Sequence, residues 1–441
     1  MTIKATKFFN TDYVDFASYS NLRMIASVMD GQKNSSRKVL HTIMEKNIKD
    51  EIKVSQLGSK VAEFTEYLHG NLDGVIVNLA QNFPGTNNIA LLTREGNFGT
   101  RFTQEASASR YIYTFGSPEF FTLFNKDDNE ILLHQTFEGT RIEPRFFVPE
   151  LPLLLINGSE GVSSGFAQKI LPRNPASVAK AIKSILAGKK VDPTLLTPYY
   201  VGFNGTIEQG ETSAQWVLKG TVKKIAMNKV EISEVPIGYD LRGYLDVLDT
   251  LEEKKVIQSY VDKSEDDKFL FEVTIPSKTL KDSSEDDLLQ MLKLVKRVSE
   301  NYTVIDENNK IRIFESALDI LLHYSKIKLE YVAKRKANQL ENLRSDIVIA
   351  NSKYYFIKAI ISGELVVGNR KKADIVTDLE SMVDIESVNG NYDYLLNMNI
   401  MSLTEERLVQ LKNSIKTYQD ALDALANTTE ADIWLENIKI F

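Results

Sequence analysis

The stretch LENLRSDIVIANSKYYFIKAII, residues 340–361, decides how the last third of this chain is built. Its apolar positions Leu340, Leu343, Ile347, Ala350, Tyr354, Ile357 and Ile361 alternate spacings of three and four, which sets them on one stripe of an α-helix. The rhythm returns in Leu408, Leu411, Ile415, Tyr418, Leu422 and Leu425. Such spacing is the seam of a coiled coil; a plain helical bundle is the blander reading. All eleven prolines lie at or before Pro276, and no glycine occurs from 277 to 362. Helix interiors reject both residues. Two arms, about 315–361 and 403–426, therefore predict an antiparallel pair with a small tip at 362–402, where Gly363, Gly368 and Gly390 permit turns. At the tip, Val366, Val367, Leu395, Leu396, Met398 and Ile400 either meet a second copy of the chain or pack the tip internally.

Upstream the pattern changes. Between about 200 and 310, β-rich runs such as VEISEVPIGY (230–239) and FLFEVTIP (269–276) alternate with acidic helical stretches such as SSEDDLLQMLKLVKRVSE (283–300). This predicts an α+β domain. The first 150 residues mix helical patterns with short strands. SSRKVLHTIMEKN (35–47) puts Val39, Leu40 and Ile43 behind a basic face, which is compatible with a winged-helix module.

Composition sets outer limits. A chain of 441 residues predicts two or three domains. No apolar run approaches the ~18 residues of a membrane span, and no charged-then-apolar start marks export. Cysteine is absent, which excludes disulfides and thiolate metal sites and fits a reducing compartment. The four histidines are scattered, so a transition-metal centre is not expected. The net charge of −7 argues against nucleic acid at first, but residues 1–60 carry ten Lys/Arg against six Asp/Glu. A local basic face, not the total, decides phosphate binding.

The chemistry concentrates in NFGTRFTQEASASRYIYT, residues 97–114. On its own, Tyr111 in an aromatic, β-branched run reads as a residue packing a sheet face. Arg110 directly before it changes that reading, since a guanidinium is shaped to hold phosphate oxygens. Gly96, Gly99 and the small residues 106–109 let a backbone come close. No Gly-rich loop is followed by GK[ST], so this chain is not expected to bind ATP.

Seven segments in order resemble the breakage–reunion subunit of type IIA DNA topoisomerases, nearer to eukaryotic and T-even-type phage enzymes than to bacterial gyrase. They are Arg23 with DGQK and RKVL through Leu40, His69-Gly70, LAQNFPGTNNIALL (79–92), GNFGTR (96–101), SASRYIYT (107–114), EPRFFVPELPLLLINGSEGVSSG (143–165) and EISEVPIGY (231–239). The resemblance implies a multidomain α+β chain: a winged-helix DNA cleavage domain at 1–152, an α/β tower at 153–312, and an antiparallel coiled coil with a C-gate dimerisation tip at 313–441. It further implies that Tyr111 attacks the scissile phosphorus to form a 5′-phosphotyrosyl ester. A free phenol ionises near ~10, so the nucleophile needs help at neutral pH. His69 matches the histidine that assists proton movement, and Arg23 and Arg110 match the arginines around the phosphate, where one lost contact commonly costs ~10²–10³ in rate. Lys33, Arg37 and Lys38 fall on the helix expected to grip DNA, and Val162 on the wedge that inserts between base pairs.

The departures are Lys33-Asn34 for Lys-Pro, Asn71 for an acid after the HG, a gap after HG about two residues short, and valine for isoleucine at the wedge. No ATPase domain, TOPRIM acidic cluster, C-terminal β-pinwheel or gyrase box is found. The expectation is therefore a homodimer acting on double-stranded DNA with separate ATPase and TOPRIM subunits that bind ATP and Mg²⁺, relaxing or decatenating rather than supercoiling. No membrane is involved, and the setting is the cytoplasm, or a host's cytoplasm or nucleoid for a viral chain. A catalytically inactive DNA-bending protein of the same fold is the alternative.

Overall fold

The computed structural model describes residues 5–439. Helix and sheet are mixed throughout the larger of two compact units, which comprises residues 5–328 and 437–439; the second comprises 329–436.

In the larger unit the basic helix forms as Asn34–Glu45. Its start is capped by Ser36, whose hydroxyl accepts the Lys33 N–H at 3.1 Å. Val39, Leu40 and Ile43 are fully buried, each worth ~1.5–3 kcal/mol of burial, and the helix packs on Val54–Phe64 and Asp73–Ala80. Gly31 turns the chain just before it at φ +67°, and a Cβ there would lie 2.5 Å from the Leu154 nitrogen. Only glycine fits that turn.

A second tie closes the unit over a long stretch of chain. The Val28 N–H donates to the Ile305 carbonyl at 2.9 Å, and the Ile305 N–H donates to the Ala26 carbonyl at 3.1 Å. The buried Gln168 amide spans the same seam, accepting from the Ala26 N–H at 3.1 Å and donating to the Thr303 carbonyl at 2.8 Å.

The middle of the chain builds two antiparallel sheets. One runs in the order Ser259–Asp262, Phe271–Thr274, Lys229–Glu234, Thr221–Ala226. Alternation turns Val230 and Ile232 inward beside Phe271 and Val273, against Tyr244 and Leu248 of the Leu241–Glu253 helix. The other sheet runs Val295–Ser299, Gln215–Lys219, Thr206–Gln209. This corrects the reading of 283–300 as one helix. The helix Glu285–Met291, capped by Ser284 and Asp287, stops where Lys293 takes φ +58°. Val295–Ser299 then finds an open strand edge, and pairing along it overrides local helical periodicity.

The smaller unit has its own core. The 46-residue helix Ala317–Ser362 contributes its later turns, and the 23-residue helix Glu405–Asn427 lies antiparallel to it. At one end Lys336 Nζ donates to the Thr428 carbonyl at 2.7 Å. At the other, Phe356 and Ile357 share a core with Leu408 and Leu411. In the shorter helix, Leu408, Leu411, Ile415, Tyr418, Leu422 and Leu425 are its apolar buried or half-buried positions. Between the helices, Gly363 and Gly390 turn at positive φ. Leu395, a candidate for contact with a second copy, is instead 1% exposed and packs against Ile375 and Leu379. Val367, Leu396 and Met398 are half-buried on that core, while Val366 and Ile400 face solvent.

Candidate active site

The loop from Asn97 doubles back on itself, with the Ser107 N–H donating to the Asn97 carbonyl at 3.0 Å. It ends in a tight turn, closed by the Tyr111 N–H on the Ala108 carbonyl at 2.9 Å. Ile112 anchors the turn from below at 1% exposure, its carbonyl accepting from the Val54 N–H at 3.0 Å. The next residues, Tyr113–Thr114, pair with Ile52–Lys53. Tyr111 therefore precedes the strand rather than packing in it, and its side chain is 66% exposed. Arg110 lies over it, guanidinium carbon 4.7 Å from the ring centroid, a contact worth ~0.5–1 kcal/mol at an exposed site.

A second cluster forms where the Asp12–Met24 helix meets the loop carrying His69. The Tyr19 hydroxyl lies 2.7 Å from His69 Nε2, and the Arg23 guanidinium carbon sits 5.5 Å from the Tyr19 ring centroid. Tyr67 meets the His69 ring edge-on at 6.0 Å. The structure thus brings Arg110 to Tyr111, and sets both Arg23 and His69 against Tyr19. Among the described residues no hydrogen bond, ion pair or ring contact links the two clusters. Asn71, at the departure after the HG, caps Asp73 by accepting its N–H at 2.7 Å.

Val162 closes the third group. It ends the strand Ser159–Val162, paired with Ala167–Ile170 across a turn in which the Ser163 N–H donates to the Phe166 carbonyl at 2.9 Å. The valine is 71% exposed at this hairpin tip, not packed inside the turn. Lys33 Nζ donates to the Glu160 carbonyl at 2.8 Å. Burial pulls its ammonium below the usual lysine range, with the Glu160 carboxylate pulling the other way.

Two expected DNA contacts point inward. Arg37 is 4% exposed, with Nε 2.7 Å from Asp30 Oδ2 and Nη2 3.1 Å from Asp30 Oδ1. Its remaining bonds go to the Gln32 carbonyl and Asn34, so the guanidinium fork is spent on this turn rather than free for a phosphate. Lys38 Nζ bonds Glu143 and the Thr65 carbonyl, both at 2.8 Å. Inspection of the sequence missed Tyr19. Its only local signal was helical spacing to Arg23, four residues on.

Among the described residues no group of three or more His, Asp or Glu is placed to hold a metal ion. No described helix is long and apolar enough to cross a membrane.

Comparison with known proteins defines the class. The family profile for the A-type subunit of DNA gyrase/topoisomerase IV matches residues 23–439. The chain belongs to that family. It is 32% identical to the mitochondrial DNA topoisomerase 2 of Dictyostelium discoideum over 98% of this chain and 34% of that protein. It is 30% identical to DNA topoisomerase 2 of Saccharomyces cerevisiae over 100% of this chain and 34% of that one. The chain thus spans about a third of the length of these relatives. A crystal structure of the Plasmodium falciparum topoisomerase II DNA-binding, cleavage and re-ligation domain superposes with a TM-score of 0.89 and 32% identity, over 98% of this chain and 63% of that one.

Proposed function

We propose that this chain is the breakage–reunion component of an ATP-dependent type II DNA topoisomerase, with Tyr111 as nucleophile. The observation that carries the reading is an exposed tyrosine, held at a turn under an arginine, in a chain of this family. The Tyr111 oxygen attacks the scissile phosphorus. The phosphorus–O3′ bond breaks, the phenolic proton is lost, and the departing O3′ takes up a proton to become a free hydroxyl. The 5′-phosphotyrosyl ester conserves the bond energy of the broken linkage, and resealing runs the same exchange backwards.

Arg110 and Arg23 supply positive charge to the phosphoryl oxygens. His69 acts beside Arg23, and the DNA backbone, rather than a protein contact, draws the two clusters to one phosphate. Lys33 contacts backbone at the foot of the hairpin and Val162 wedges the duplex. Arg37 and Lys38 leave the DNA-contacting set and act as internal braces.

In this reading residues 1–152 form a winged-helix cleavage domain, 153–312 the tower, and 313–441 a coiled coil whose tip closes a homodimer gate. Mg²⁺ and ATP are held by TOPRIM and ATPase functions on partner subunits. Relaxation or decatenation in the cytoplasm is the expected outcome. Trapping with denaturant tests the core claim. Covalent protein–DNA adducts should form with the partner functions and Mg²⁺ present, and vanish in Tyr111→Phe while DNA binding persists. Adducts surviving in that variant would overturn the assignment of Tyr111. DNA bending without adducts in the unaltered protein would instead favour the inactive DNA-bending alternative.

A further inference from the structure

We infer that Tyr19 is a positioning residue that locks His69 in one tautomer, with Nδ1–H as its outward donor, an inference that rests on the proposed cleavage reaction.

The geometry is a chain of three side chains. The Tyr19 hydroxyl meets His69 Nε2 at 2.7 Å, with the rings 6.1 Å apart and inclined at 49°. The Arg23 guanidinium lies over the same tyrosine ring. Tyr19 and Arg23 stand four residues apart on the Asp12–Met24 helix, hence on one face. One residue of that helix therefore touches both groups proposed to act at the phosphate.

The direction of the hydrogen bond follows from the partners. A phenol hydroxyl is the better donor, and a neutral imidazole nitrogen the better acceptor. The cation over the ring withdraws charge from the phenol and strengthens its O–H as a donor. Tyr19 therefore donates to Nε2, which must carry a lone pair, and the ring proton resides on Nδ1. A free imidazole in water prefers the opposite tautomer. Tyr67, edge-on to the same ring, limits its rotation. Neutral His69 consequently offers Nδ1–H to a phosphate oxygen and acts there as a donor, not as the base that deprotonates Tyr111.

Tyr19→Phe removes only the hydroxyl and keeps the ring under Arg23. Nitrogen-15 spectra of the His69 ring in the full chain should show Nδ1 protonated in the unaltered protein and a mixture weighted to Nε2–H in the variant. In the complex with its partner functions and Mg²⁺, the cleavage rate should fall ~10–100-fold, as for other orienting partners of a functional histidine, with the dissociation constant for DNA changed less than twofold. Tyr19→Ala should lose further rate, because Arg23 then loses its support. An unchanged His69 tautomer in Tyr19→Phe, or an unchanged cleavage rate, overturns the inference. Absence of adducts in the unaltered protein defeats the cleavage reading instead, and the nitrogen-15 spectra still decide the role of Tyr19.

Discussion

The guanidinium of Arg37 forks onto the carboxylate of Asp30, seven residues earlier, and both side chains are almost wholly out of solvent. Asp30 also accepts the Phe147 N–H at 2.9 Å, tying the turn before the Asn34–Glu45 helix to a distant loop. Removing one partner leaves an uncompensated buried charge, which costs ~3–5 kcal/mol. Arg37→Ala should lower the unfolding free energy by about that much in urea titration. If stability holds and DNA affinity drops with a shallower salt dependence, Arg37 is a phosphate contact after all.

His41 sets a pH dependence. It is 2% exposed, stacks on Phe64 at 5.4 Å, and burial with the nearby His134 holds its pKa down to about 3. The unfolded chain binds its proton near ~6.5, so stability from this group is complete above that pH and is lost as pH falls toward 3. The loss amounts to at most ~5 kcal/mol. Thermal melts at pH 7 and pH 4 should differ by more in the unaltered chain than in His41→Phe. Equal differences would show that His41 does not drive the effect.

Val162→Ala should leave the melting temperature unchanged, because the side chain is largely solvated. It should reduce DNA bending measured by fluorescence energy transfer between duplex ends. Unaltered bending would remove Val162 from the wedge role.

At the tip, Val366→Asp and Ile400→Asp alter exposed positions and should weaken a homodimer at least ~10-fold in sedimentation while circular dichroism stays constant. A strictly monomeric unaltered chain at micromolar concentration, alone and with partners, would end the gate proposal. Leu395→Asp should behave differently, unfolding the tip, since that side chain is internal.

The parts legible in sequence were those written in local periodicity. Leu408 through Leu425 predicted a buried stripe, and those positions are the helix's apolar buried or half-buried ones. Val39, Leu40 and Ile43 likewise announced their burial. Illegible were side chains whose partners lie elsewhere in the chain. Lys38 reads as surface charge until Glu143, 105 positions away, accepts its hydrogen bond. Val295–Ser299 reads as helix until Gln215–Lys219 offers an edge. The contact between Tyr19 and His69 crosses 50 positions, and no spacing rule reaches that far.

The seam between Ala26–Val28 and Thr303–Ile305 has a temporal consequence. A ribosome adds ~5–20 residues per second, so the segment around Val28 waits roughly a quarter of a minute to a minute for its partner to be made. Until then, Ile25, Ala26, Val28 and Met29, all buried in the finished protein, lack one wall of their core. The nascent chain carries that sticky patch until Thr303–Ile305 are made and can close over it.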